Sequence, residues 1–584
     1  MRTENIITVL ACFHQIAAGL TREYNLSLES KYMSKDGNGR PYLTINGDTP
    51  GPLIEGDEGD TLRIHVENKL LGEATMHWHG VYQVDKYWND GVPGVTQWPI
   101  EPRGKYTYEF TLSGQYGIYF YHGHFGPAFA DGQRGPLWIR PAAWRERPYS
   151  LISKVEEDIE AMHKAEKNPR HLMVSDWNHE GMDILVIRFR DTGATPACAA
   201  SIVTNGKGRT TCLPRKILDA HGEHGPRDSL GCLEPTMGAQ FLNKRECKDT
   251  YTDYEVIQAQ KGEKYLFINF INPGAHHELR IAIDEHDMYV VAADGEFVHP
   301  KKVQAINVSM GDRISVMVPL SQPSKEYTIR MSSLSTEQLI QGYAILRYPG
   351  VEEHRIDGVM SLPTTKAQIS IDGEMLAGGV MLNEMEDLAP FPRRSPPSRA
   401  DHTLRFMSNN TGPATWVLAS EPHQGFRQQL PPSLWNDESR GKTTFTGLKN
   451  GTTVDIIYEN ATPAMHPFHK HNHKAWIIGS GTGFFNWPDV ATAFREAPEN
   501  FNMVDPPLRD GARLAAGTGS WTAIRYTITF PAMSMLHCHR IAHFAGGQQV
   551  VLLEGQEAML PLPDFLKNMT HSNFKAPLRY GPLD

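Results

Sequence analysis

Cysteine is scarce in this chain, positive charge is not in excess, and no window approaches 18 uninterrupted apolar residues. Six cysteines in 584 residues, with no C-x-x-C pair among them, weigh against a zinc-built scaffold. A formal net charge of -10 offers no basic face, so no nucleic-acid partner is expected. The lack of a long apolar run predicts no membrane span, and the C-terminus reads without an anchor signal.

What is abundant points elsewhere. The chain has 51 Gly, 40 Pro and 40% apolar residues, a composition that suits an all-β protein rich in turns. At about 150 residues per domain the length implies three or four units. Met1-Arg2 and a mostly apolar stretch over 6–20, with Ala17, Ala18 and Gly19, read as a secretory signal peptide over 1–20. A buried first strand is the alternative, and His14 and Gln15 favour it. Cys12 falls in that segment and Cys538 lies between histidines. Cys198, Cys212, Cys232 and Cys247 remain in one loop-rich stretch, where two disulfides are expected and three pairings stay open. Sequons at Asn25, Asn307, Asn409, Asn450, Asn460 and Asn568 agree with secretion.

One pattern occurs three times, over 59–68, 262–272 and 451–460: a glycine turn, a strand of alternating or apolar character, and a closing asparagine. A spacing of about 200 residues exceeds any solenoid repeat and marks repeated domains, hence three related β-sandwiches. The expected division is 21–145, 146–355 and 401–560, with a linker over 356–400 and a tail over 561–584. Within the linker, 389–397 carries four prolines and an Arg pair and reads as an extended spacer. The charged stretch 154–167 looks helical.

Histidine is the outlier. With 26 His in 584 residues, chance gives roughly one H-x-H, yet five are present: His77-Trp78-His79, His122-Gly123-His124, His469-Lys470-His471, His471-Asn472-His473 and His537-Cys538-His539. On a strand, residues i and i+2 share a face. Each pair therefore aims two imidazoles one way, while Cys538 faces opposite to His537 and His539. One short peptide thus bridges two metal centres. A thiolate with two imidazoles is a blue-copper donor set, which Cys538, His543 and His466 can supply. The clusters avoid the middle domain, so the first and third domains must meet.

This constellation resembles the multicopper oxidases, in particular the three-domain laccase and ascorbate oxidase group. The likeness extends to Pro50-Gly51-Pro52, to 90–97 (Asp-Gly-Val-Pro-Gly-Val-Thr-Gln), to 131–136 and to Asn205-Gly206-Lys207-Gly208. It implies three cupredoxin-like Greek-key domains and four copper ions. Type 1 copper would take His466, Cys538 and His543; type 2 would take His77 and His469; the type 3 pair would take His79, His122, His124, His471, His537 and His539. It further implies that a phenolic substrate gives single electrons at type 1, that Cys538 with His537 and His539 passes them inward, and that O2 is reduced to water by a secreted, monomeric, laccase-like enzyme. Overall the chain is most similar to ascomycete phenol oxidases, some of which serve pigment or polyketide chemistry. Asp90 matches the family's acid beside the cluster, with a turn carboxylate as the other reading. His473 has no ligand role there and is expected to be packed or hydrogen-bonded.

Three positions depart from that pattern. Gln548 stands where laccases place Leu, Phe or Met beside type 1 copper; axial coordination and a lowered potential are expected, an outward-turned side chain being the alternative. Arg540 replaces an apolar residue and must find a carboxylate or solvent, and Ile541 lacks the acid of iron-oxidising relatives. Trp98 replaces a cysteine, which removes an interdomain disulfide. Ferroxidase and ascorbate oxidase remain alternatives, as does a copper-binding structural protein.

Overall fold

The computed structural model describes residues 19–242, 246–376, 378–419, 430–437, 440, 443–567 and 569. All but the last two residues of the signal reading over 1–20, together with Cys12, Asn568 and most of the tail, lie outside them.

The thrice-repeated sequence pattern builds one local structure three times. Gly59, Gly262 and Gly451 have φ of 95°, 89° and 82°, values that glycine alone adopts freely. They open strands Thr61–Asn68, Tyr265–Ile271 and Thr453–Asn460. Each runs parallel to an earlier strand, Thr21–Ser34, Arg170–Trp177 or His402–Gly412 respectively. Each also pairs antiparallel with a later one: Lys105–Thr111, Arg313–Pro319 or Trp521–Thr527. The closing asparagines share one device. Oδ1 of Asn68, Asn272 and Asn460 accepts the N–H two residues on, at 3.0, 2.9 and 2.9 Å. Their Nδ2 donates to the carbonyls of Gly72, His277 and Ala464. These are buried Asx turns, and that of Asn460 leaves its sequon no free amide.

Two sheets face each other in every unit: two of four strands in the first, seven and five in the second, six and five in the third. The first unit's core, with Leu62, Trp78 and Phe110, is continuous with Met533, Met535, Ile541 and Leu553 of the third. The two outer units are therefore one apolar body where they touch, and the histidine clusters lie at that seam. The charged stretch forms the helix Glu156–Glu166. The proline-rich segment is extended but docked: Phe391 N–H donates to the Phe297 carbonyl at 2.7 Å, and the Phe391 ring packs with Tyr116 and Phe297. The extended spacer is fastened to the middle unit, because an aromatic side chain among the prolines finds an apolar socket.

The four loop cysteines pair as Cys198–Cys232 and Cys212–Cys247. No helix among the described residues is long and apolar enough to cross a membrane.

Candidate metal centre

Strand Met76–His79 lies antiparallel to Gly117–Gly123, which sets His77 opposite His122. In the third unit His466–Lys470 lies antiparallel to Ala532–Cys538, which sets His469 opposite His537 and Phe468 opposite Cys538. Period-two alternation then turns His469, His471 and His537 to one face. Phe468 and Cys538 join the third unit's apolar core on the other.

Across the seam the imidazoles of both units interleave. The His77 ring stacks on His471 with centroids 3.9 Å apart, and His79 on His469 at 3.6 Å. Potential ligand atoms lie within 4.8 Å of one another in three all-imidazole groups: His79, His122 and His539; His124, His471 and His537; and His77, His79 and His469. His79 belongs to two of them. A cavity with room for about one water-sized molecule lies between the first two, lined by His122, His124, His537, His539, Phe129 and Phe544.

Outer hydrogen bonds choose which ring nitrogen faces inward. His77 Nδ1 contacts the Asp90 carbonyl at 2.7 Å, His469 Nδ1 the Asp510 carbonyl at 3.0 Å, His122 Nδ1 the Gly123 carbonyl at 3.1 Å and His537 Nδ1 the Cys538 carbonyl at 3.0 Å. Nε2 of His77, His122 and His469, and both nitrogens of His79, His124 and His539, are buried without a hydrogen-bond partner. Burial, reinforced by neighbouring imidazoles, keeps the protonation of His79, His122, His124, His469, His471 and His539 well below the ordinary histidine range. The rings are therefore neutral with lone pairs presented. So many orphaned buried acceptors are costly unless a metal takes them. The donor set, three groups built of imidazole alone with Asp90 beside His77 and His471, fits copper.

Asp90 is buried against this group, its Oδ2 2.8 Å from His471 Nδ1 and its carbonyl on His77. Two residues escaped sequence reading. Asp510 places Oδ1 3.5 Å from His79 Nε2, and Arg313 of the middle unit clamps its carboxylate with two bonds of 2.7 and 2.6 Å. No local motif announces a pair 197 positions apart.

The second site forms where the chain leaves Cys538. The helix Ile541–Ala545 carries His543. Gln548 N–H then donates to the His543 carbonyl, and the Gln548 carbonyl accepts from Cys538 N–H. This closed loop fixes the spacing of Cys538, His543 and Gln548. Cys538 Sγ lies 3.3 Å from His543 Nδ1 and 3.9 Å from His466 Nδ1. His466 Nε2 contacts Thr462 Oγ1 at 2.9 Å, so the Asn460 turn orients the ring. The Gln548 side chain is fully buried; its Oε1 lies 3.0 Å from His466 Nδ1, while Nε2 donates to Ser408. The amide oxygen thus points inward. Burial pushes the Cys538 thiol up to about 12, and a bound cation would remove that proton. Trp416, a further residue the sequence did not flag, stacks on His543 at 3.8 Å.

His473 bonds Glu554 at 3.2 Å and stacks on Phe530, away from the imidazole groups. The Arg540 guanidinium meets the Glu337 carboxylate of the middle unit. Ile541 is buried.

Multicopper oxidase family profiles match residues 27–143, 170–350 and 418–558. A laccase of Pestalotiopsis fici is 53% identical over 577 residues, 97% of each chain. Laccase abr2 of Aspergillus fumigatus is 30% identical, over 92% of this chain and 95% of its own. The crystal structure of a laccase from Botrytis aclada superposes with a TM-score of 0.71 and 25% identity, covering 94% of this chain and 90% of that one. Matches in all three units, with a relative aligned over 97% of both chains, place this chain in the multicopper oxidase family.

Proposed function

We propose that the protein is a laccase-like oxidase that couples one-electron oxidation of phenols to reduction of O2 to water. The observation that carries this reading is the strand Ala532–Cys538, which delivers Cys538 to one ligand group and His537 to another through adjacent residues.

His466, Cys538 and His543 would hold type 1 copper, with Gln548 Oε1 as a further oxygen donor facing that group, and His77 and His469 would hold type 2. His79, His122 and His539 would hold one type 3 ion and His124, His471 and His537 the other. Copper bound there supplies one-electron redox chemistry and a place to reduce oxygen. The chain's own residues do the rest. Trp416 covers His543 at the electron-entry side. Cys538 and His537 share a peptide, giving a covalent path between the sites. Asp90 holds the His471 Nδ1 proton so that Nε2 faces inward, and its carboxylate is an acid beside the oxygen-reduction site. Phe129 and Phe544 keep that cavity apolar enough for O2 and poor in bulk water.

The laccase relatives favour phenols, and pigment or polyketide coupling is the setting we infer. Two disulfides support an oxidising, secretory location, and we infer a monomer. Oxygen uptake against phenols, ascorbate and ferrous iron tests the reading: phenols should be turned over fastest. Faster uptake with iron or ascorbate would contradict it.

A further inference from the structure

Arg540 occupies the junction between the two ligand sites. It caps the helix that carries His543, its carbonyl accepting Phe544 N–H at 2.8 Å. The side chain crosses to the middle unit, where Glu337 in the turn between Glu326–Ser333 and Gln341–Arg347 receives the guanidinium. Glu337 is itself held by Ser335, and its carbonyl accepts from Leu233 beside the Cys198–Cys232 bridge.

The pair is electrically lopsided. Only 10% of the Arg540 side chain is exposed against 37% for Glu337, so water screens the carboxylate more than the cation. The uncompensated part of the charge is positive and belongs to a residue that lies two positions from Cys538 and caps the helix carrying His543. When one electron enters such a site no bond forms or breaks, and the net charge there drops by one. A fixed positive charge stabilises the reduced state.

We propose that Arg540 raises the reduction potential of the type 1 site, that Glu337 of the middle domain sets how far, and that this cross-domain pair opposes the lowering by Gln548. The inference rests on the copper assignment above. It gives the middle domain, which supplies no ligand, a part in deciding which phenols can be oxidised.

Redox titration of the copper-loaded full chain against one-electron mediators, followed at the thiolate band near about 600 nm, tests it. Arg540→Met should lower the equilibrium constant with a mediator about tenfold, roughly 59 mV, and Glu337→Gln should raise it, with the band retained in both. Shifts in the same direction, or none, overturn the proposal. If Arg540→Met does not take up copper, the more exposed Glu337→Gln decides alone. A copper-loaded wild type without the band overturns the site reading on which the proposal stands, whereas a blue wild type indifferent to both changes overturns only the charge pair.

Discussion

Gln548 and Asp90 are the residues whose chemistry the surrounding atoms define most sharply. With its amide nitrogen tied to Ser408 and its oxygen turned to His466, Gln548 presents a hard oxygen donor. Gln548→Leu should raise the type 1 potential, measured by mediator titration, by about a tenfold change in equilibrium constant, or roughly 59 mV. An unchanged or lower potential would remove Gln548 from the coordination sphere. Asp90→Asn keeps the shape but loses the charge that holds the His471 proton. Phenol-driven oxygen uptake should fall about 10–100-fold while the blue band persists. Loss of the band instead would mean that Asp90 serves the fold.

At the scale of elements, the Asx turn after strand Thr453–Asn460 joins stability to the site. Asn460→Ala strands the buried Thr462 amide and removes the donor to the Ala464 and Ala515 carbonyls, so chemical unfolding should reveal a loss of about 1–3 kcal/mol. Because Thr462 steadies His466, the blue band should shift as well. These strands were legible from glycine, alternation and asparagine, since each unit repeats them and each is a local interaction. The H-x-H clusters were equally legible, because period two is a property of any strand. What could not be read was set by distant chain: Arg313 on Asp510, Glu337 on Arg540, Trp416 on His543, and the docking of Phe391. Each joins residues more than 90 positions apart, and no local periodicity encodes such partners. The cysteine pairing was undecided for the same reason, as three connectivities satisfy one spacing.

The whole molecule is held at its seam by buried charge. Lys474 of the third unit meets Glu296 of the second at 3.0 Å and Tyr119 of the first at 3.1 Å, and Arg394 of the linker joins the same carboxylate. Burial alone would raise the Glu296 carboxyl, but Lys474 and Arg394 overcome it and hold the group at about 2, against an ordinary 4.5. A carboxyl depressed on folding contributes stability that is complete above its unfolded value and is lost as pH falls towards its folded value. Urea midpoints should therefore decline between about pH 5 and 2, and Glu296→Gln should flatten that part of the curve. A variant with the wild-type slope would place the acid sensitivity elsewhere. If one peptide of the third domain wires two copper sites, Cys538→Ser should cut the wire and leave the rest in place. Metal content, the band near about 600 nm and oxygen uptake should be measured together in wild type and variant. The wild type should hold four coppers and be blue. The variant should keep the other three without colour, take up oxygen when reduced directly by dithionite, and have no response to phenols. A variant that still couples phenol oxidation to oxygen uptake would contradict the wiring.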